Sequence, residues 1–187
     1  MRLFVALDLS DEVRDRVGNF LGQMRAVLPH ARWVQPEILH VTLKFIGSAP
    51  ESRVPEFRAA LGEIRSPEPA RMQFHGTGFF PNERKPRVFW LGATCSPSVA
   101  TIAEEIERRL TKLGVEAEDH DFSPHLTLAR LHDGQPVDKL HSEIERASGQ
   151  DFGTVIADQF HLYHSDTLPS GAKHTKLASF TFWPAER

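Results

Sequence analysis

Two short segments of the chain repeat the same order of residue types: His40-Val41-Thr42-Leu43 and His125-Leu126-Thr127-Leu128. Each has a histidine two positions before a threonine, and on a strand residues i and i+2 share a face. His40 and Thr42 then point one way, Val41 and Leu43 the other. His125 and Thr127 repeat this against Leu126 and Leu128. Imidazole titrates near neutrality, so of two rings brought together one can be neutral and the other protonated. Such a pair suits in-line displacement at a phosphodiester: the neutral ring takes a proton from attacking water, and the charged ring protonates the leaving oxygen. Threonine hydroxyls can hold the non-bridging oxygens. The two motifs are near-symmetric, so their order in the chain does not say which histidine is the acid.

The two strands must be presented to one another. The histidines lie 125 − 40 = 85 residues apart, close to half of a 187-residue chain. Two similar lobes, each offering one such strand to a shared groove, fit that spacing. Leu3–Leu7 reads as a strand, followed by a helix capped at Ser10 with Val13, Val17, Phe20, Leu21 and Met24 on one face. Arg32–Val34 and Leu39–Ile46 read as strands. A helix carrying Val54, Phe57, Leu61 and Ile64 follows. Met72–Phe80 and Val88–Ala93 are strands joined by the basic loop Pro81–Arg87. Ser96 and Pro97 open a helix that Gly114 closes. A strand beginning after Pro124, a short helix around Val137, Leu140 and Ile144, and two strands, Val155–His164 and Lys176–Trp183, around the loop Ser165–Thr175 complete the order. Mixed rather than alternating elements favour an α+β fold over a doubly wound parallel sheet.

Composition limits the function classes. One cysteine, Cys95, excludes an intramolecular disulfide and a Cys-rich zinc site. A net charge of −3 argues against a protein that coats nucleic acid, so any such contact is local. Met1–Leu9 is too short an apolar run for a signal peptide, and no stretch approaches the roughly 18 apolar residues of a membrane span. A soluble, cytoplasmic protein is expected, with nothing demanding more than a monomer.

The paired H-x-T-x motifs resemble those of the two-histidine phosphoesterase superfamily. Arg2-Leu3-Phe4-Val5-Ala6-Leu7-Asp8, Arg32-Trp33-Val34, His40 through Gly47, Phe80-Pro81 with Pro86-Arg87-Val88, and Ser123 through Arg130 narrow the resemblance. They are similar to the corresponding segments of bacterial and archaeal RNA 2′,3′-cyclic phosphodiesterases, also known as 2′-5′ RNA ligases. The resemblance covers nearly the whole chain, in order. It implies a bilobal α+β fold over 1–187: two antiparallel-rich sheets with outer helices about a pseudo-twofold axis, and the active-site groove between them. It implies hydrolysis of a terminal 2′,3′-cyclic phosphate to a 2′-phosphate with no metal or other cofactor, and reversible 2′-5′ ligation of RNA ends. It makes His40 the proton donor and His125 the proton acceptor, with RNA ends, tRNA fragments among them, as partners. Many members carry tyrosine where this chain has His174.

Other residues keep two readings. Arg130, three positions after Thr127, faces away from it on a regular strand, but a strand end or bulge returns it to the groove as a phosphate ligand. Lys44 shares the face of His40 and Thr42 on a regular strand and either meets a phosphate or sits at the rim. Phe45, Phe122 and Trp33 are either core or stacking platforms for a base. Arg84, Lys85 and Arg87 form either a solvated hairpin tip or a contact with the RNA body. His120 and Asp121 are either surface residues or placed to orient His125. His161 and His164, three apart on a strand, point to opposite faces and do not make a metal pair. Three competing functions remain: a phosphodiesterase for a small nucleotide such as a cyclic ADP-ribose phosphate or a 2′-5′ oligonucleotide, a non-catalytic RNA-end-binding module, and a metallohydrolase.

Overall fold

A computed structural model describes residues 1–132, 134, 136–169 and 171–183. Nine strands and four helices follow in the order β1 (Arg2–Asp8), α1 (Asp11–Val27), β2 (Arg32–Trp33), β3 (His40–Ser48), α2 (Val54–Gly62), β4 (Ala70–Phe80), β5 (Val88–Cys95), α3 (Pro97–Lys112), β6 (His125–Arg130), α4 (Asp138–Arg146), β7 (Thr154–Ala157), β8 (Gln159–Leu168) and β9 (Gly171–Thr181). The class is α+β, as the mixed order implies.

The strands run β7-β4-β5-β6-β3-β1-β8-β9, with β2 beside the far end of β6. Every pairing is antiparallel. Four strands thus lie on either side of the β6–β3 seam, each half contributing its H-x-T-x strand as the innermost. The expected pair of sheets is continuous here, but only through one residue pair, Val41↔Leu126. Beyond that pair each H-x-T-x strand pairs within its own half, β3 with β1 and β6 with β5.

One face of the curled sheet is apolar. Leu3, Val5 and Leu7 of β1, Val41 and Leu43 of β3, and Leu126 and Leu128 of β6 join Val13, Val17, Phe20 and Leu21 of α1 and Ile102, Ile106 and Leu110 of α3 in one core. At roughly 1.5–3 kcal/mol per fully buried large apolar side chain, this face fixes the register of each strand. Phe4 and Ala6 are also buried but stand on the other face, outside that core. Ser10 caps α1, its Oγ accepting from Val13 N at 3.4 Å. Ser96 stands at the N-cap of α3, but its hydroxyl accepts from Arg71 N at 2.9 Å instead of closing the helix.

The end of the chain differs from the sequence reading. Val155–His164 is not one strand: β7 pairs with β4 in one half, β8 pairs with β1 in the other, and the chain crosses between halves at Asp158. Phe182 N donates to the Asp158 carbonyl at 3.0 Å, tying the last strand to that crossing. The expected loop Ser165–Thr175 is instead paired strand, with Ser165↔His174 and Leu168↔Gly171 in register. This ribbon is polar on both faces and carries no apolar alternation to announce it. Ser170, within that expected loop, lies outside the described residues.

Candidate active site

The antiparallel register about Val41↔Leu126 sets His40 across from Thr127 and Thr42 across from His125. Each lobe's histidine therefore stands in register with the other lobe's threonine, and the four residues share the face opposite the core.

The two imidazoles are anchored alike. His40 Nδ1 lies 2.7 Å from the Ile38 carbonyl, and His125 Nδ1 lies 2.7 Å from the Ser123 carbonyl. A carbonyl only accepts, so each Nδ1 carries the hydrogen and each Nε2 is left to exchange a proton with a ligand. The Ile38 carbonyl is itself held in place. Arg14 of α1 donates through Nη1 to the Pro36 carbonyl at 2.8 Å and the Glu37 carbonyl at 3.0 Å, clamping the 3-10 turn that precedes His40. His120, expected to orient His125, pairs with the exposed Asp119 at 2.8 Å instead.

A phenylalanine lies against each histidine. Phe4 stacks on His40 at 4.7 Å between ring centroids, and Phe80 meets His125 edge-on at 5.0 Å. Tyr163 stacks on the other side of Phe4 at 5.2 Å. His174 stands edge-on to His40 at 5.3 Å, so the residue in place of the expected tyrosine is a third imidazole of the site. Trp90 lies on the same face, opposite Thr127 and 5.2 Å from Phe80. Its indole covers Gly78, where any Cβ would overlap the ring.

Each H-x-T-x strand carries a one-residue bulge at the same place. Ala6 pairs with Thr42 and Val5 with Lys44, skipping Leu43; Trp90 pairs with Thr127 and Phe89 with Ala129, skipping Leu128. A bulge inverts the faces of all later residues. The fourth residue after each histidine thus turns into the core, and the fifth turns into the groove. Arg130 is brought to the groove face in this way and is exposed. Phe45 arrives there by the same device, 57% exposed and 6.3 Å from Phe4, which corrects its reading as core. Lys44 is the corresponding correction. The bulge sends it to the helix face, where its 2%-exposed ammonium pairs with Glu107 of α3 at 2.7 Å and donates to the Glu116 carbonyl at 2.6 Å. It is too deeply held to meet a phosphate. Phe122 and Trp33 are partly buried and pack against the core.

The chain's sequence matches the family model described as LigT like Phosphoesterase over residues 7–90 and 93–174. The chain belongs to the LigT-like phosphoesterase family. It is 33% identical to the RNA 2′,3′-cyclic phosphodiesterase of Archaeoglobus fulgidus, over 96% of this chain and 99% of that one. It is 34% identical to the protein of the same name from Thermus thermophilus, over 97% and 90%. The solved structure of TT0787 from Thermus thermophilus superimposes with a TM-score of 0.72 at 30% identity, covering 97% of this chain and 98% of that one.

In this LigT-like phosphoesterase the site is electrostatically uneven. Burial is the largest influence on His40 and pushes its pKa down to about 4. The nearby His174 and His125 push the same way, while the Ile38 carbonyl and Asp8 oppose. Burial also lowers His125, against the Ser123 carbonyl. His174 is lowered by burial as well.

Under the His40 side lies a polar cluster that the sequence did not reveal. Asp8, paired with His40 in the β1–β3 register, accepts from Tyr163 OH at 2.6 Å and Lys176 Nζ at 2.8 Å, and lies 3.3 Å from His161 Nε2. Burial works to raise Asp8, but the hydrogen bonds from Lys176 and Tyr163 outweigh it and keep the carboxylate low. The only available signal was the alternation Phe4, Ala6, Asp8, masked by the continuous apolar run of β1. Among the described residues, no group of three or more His, Cys, Asp or Glu side chains is arranged to hold a metal. No helix among them is long and apolar enough to cross a membrane.

Proposed function

We propose that this LigT-like phosphoesterase hydrolyses RNA terminal 2′,3′-cyclic phosphates to 2′-phosphates, with His40 and His125 as complementary acid and base. The observation that carries the reading is the matched anchoring of the two imidazoles, each with Nδ1 on a backbone carbonyl, which leaves Nε2 to exchange a proton. The names of the Archaeoglobus and Thermus relatives support the substrate class.

Water attacks phosphorus opposite the 3′ oxygen. His125 Nε2 takes the water proton while its Nδ1–H stays on the Ser123 carbonyl. His40 Nε2–H protonates the departing 3′ oxygen, so the P–O3′ bond breaks and the phosphate stays on O2′. Thr42 and Thr127 donate to the non-bridging oxygens, and Arg130, farther along the groove face, contacts the RNA backbone. A base of the RNA stacks on exposed Phe45. Burial keeps His40 neutral in the empty site, so the anionic substrate itself restores its proton. The two halves act as one catalytic unit over 1–187. We place the protein as a monomer in the cytoplasm, acting on RNA fragments such as those of tRNA. Both proton transfers are supplied by imidazoles, so no metal enters the scheme.

The test is incubation with EDTA and a short RNA ending in a 2′,3′-cyclic phosphate, with the product's phosphate position read by ³¹P NMR. A 2′-phosphate is expected. A 3′-phosphate would reverse the assignment of the leaving oxygen. Cleavage of small cyclic nucleotides alone would move the substrate class, and tight binding without turnover would leave an RNA-end-binding module.

A further inference from the structure

The duplicated bulge makes the groove polar along its length. Beyond His40 it presents an aromatic ring, Phe45; beyond His125 it presents a guanidinium, Arg130. Because β3 and β6 run antiparallel from a single pair, these two residues lie toward opposite ends.

The cationic end is more extensive than Arg130. Arg32 of β2 sits directly opposite Arg130 in an antiparallel pair, and Val88 opposes Arg130 on its other side. Residues opposed in this way share a face. The adjacent row, Trp33, Ala129 and Phe89, packs into the core, which confirms that Arg32, Arg130 and Val88 face the groove side. Both arginines are exposed, and neither side chain has a hydrogen bond or ion pair among the described residues. The β4–β5 hairpin ends beside them. Leu131 N donates to the Arg87 carbonyl at 2.9 Å, and Asn82 Oδ1 accepts from Arg84 N and Lys85 N, which orders the basic tip.

Two like charges directly opposed across strands destabilise a sheet. Such an arrangement does nothing for the empty protein, but it suits an anion lying between the guanidinia. Arg130 is five residues from His125, roughly 15 Å along the strand. That is farther than a terminal nucleotide held at the histidines extends.

We propose that Arg32, with Arg130 and the Arg84–Lys85 tip, forms a docking track for the sugar-phosphate backbone of single-stranded RNA, engaging phosphates remote from the cyclic end. This rests on the proposed cyclic-phosphate hydrolysis and specifies its substrate as an oligonucleotide. Arg32 serves length preference and takes no part in the bond-breaking step.

The experiment compares kcat/KM for a cyclic mononucleotide and for cyclic-phosphate RNAs of increasing length, as a function of salt, in the parent protein and in Arg32→Gln and Arg32→Lys. The parent should favour longer RNA at low salt and lose that preference at high salt. Arg32→Gln should lower kcat/KM on the longer RNA about fivefold, the upper range of an exposed ion pair. It should reduce the salt slope by about 0.7, one phosphate contact on a single strand. It should leave the mononucleotide unchanged, and Arg32→Lys should retain the slope. The same Arg32→Gln should melt no lower than the parent, since it relieves repulsion. Equal rates for mononucleotide and RNA, or an equal loss on both in Arg32→Gln, would overturn the track while leaving the hydrolysis intact. Absence of turnover on every substrate would instead remove the proposed function.

Discussion

The acid of the proposed reaction is neutral until the substrate arrives, and this has a measurable consequence. Moving His40 from its ordinary value near 6.5 to about 4 disfavours the imidazolium by about 3 kcal/mol. A phosphate anion about 4 Å from the ring returns about 4 kcal/mol at the effective dielectric of a partly buried site. The two nearly cancel, so a bound phosphate should bring His40 back to near-neutral titration. The perturbation is saturation with a nucleoside 2′-phosphate, the proposed product. The assay is an NMR titration of the His40 ring signals, assigned by their loss in His40→Asn, with and without ligand. The empty protein should titrate near 4, and the complex about two to three units higher. Ligand affinity should therefore fall as pH rises from about 4 to the bound value and level off above it. A His40 that already titrates near 6.5 without ligand would refute the burial argument. One that stays near 4 in the complex would refute its role as the acid.

Further consequences follow from the neighbours of the site. Because the folded pKa of His40 lies below its unfolded value, the unfolded chain binds the proton first. Stability is whole above pH 6.5 and is lost as pH falls toward 4, by about 3 kcal/mol from this group. Urea denaturation at pH 7.5 and 4.5 should show a smaller acid loss in His40→Asn than in the parent, and an equal loss would contradict the shift. Asp8 raises His40, so Asp8→Asn should move the apex of the kcat/KM profile to lower pH; an unmoved apex would remove Asp8 as a positioning group. Gly78→Ala forces a methyl into the Trp90 indole, with an expected cost of about 1–3 kcal/mol and altered tryptophan fluorescence. Unchanged emission and melting would mean that the ring is not confined there.

The parts of the fold legible in the sequence are those with a strong local period. The helical faces at Val13–Met24 and Val99–Leu110 and the repeat of His-apolar-Thr-Leu each had one consistent reading, and the structure keeps them. What the sequence concealed depends on single-residue offsets and on long-range pairing. Nothing in L-K-F or L-A-R announces a bulge, yet skipping Leu43 and Leu128 exchanges the fates of Lys44 and Phe45 and brings Arg130 to the groove. Lys44 looked like a phosphate ligand because strict alternation placed it beside Thr42. Its actual partners, Glu107 and Glu118, are over sixty residues away and follow no spacing rule. The β8–β9 ribbon is polar, so its pairing is set by the neighbouring strand rather than by apolar alternation, and with it the position of His174.

The most direct test of a complementary acid and base is the pH dependence of kcat/KM on a 2′,3′-cyclic-phosphate RNA, which reports the free protein's ionisations. Burial lowers both histidines, so the profile should be bell-shaped with its apex on the acid side of 6.5 and limbs that belong to the coupled pair. A single-limbed sigmoid, or an apex above neutrality, would contradict the account.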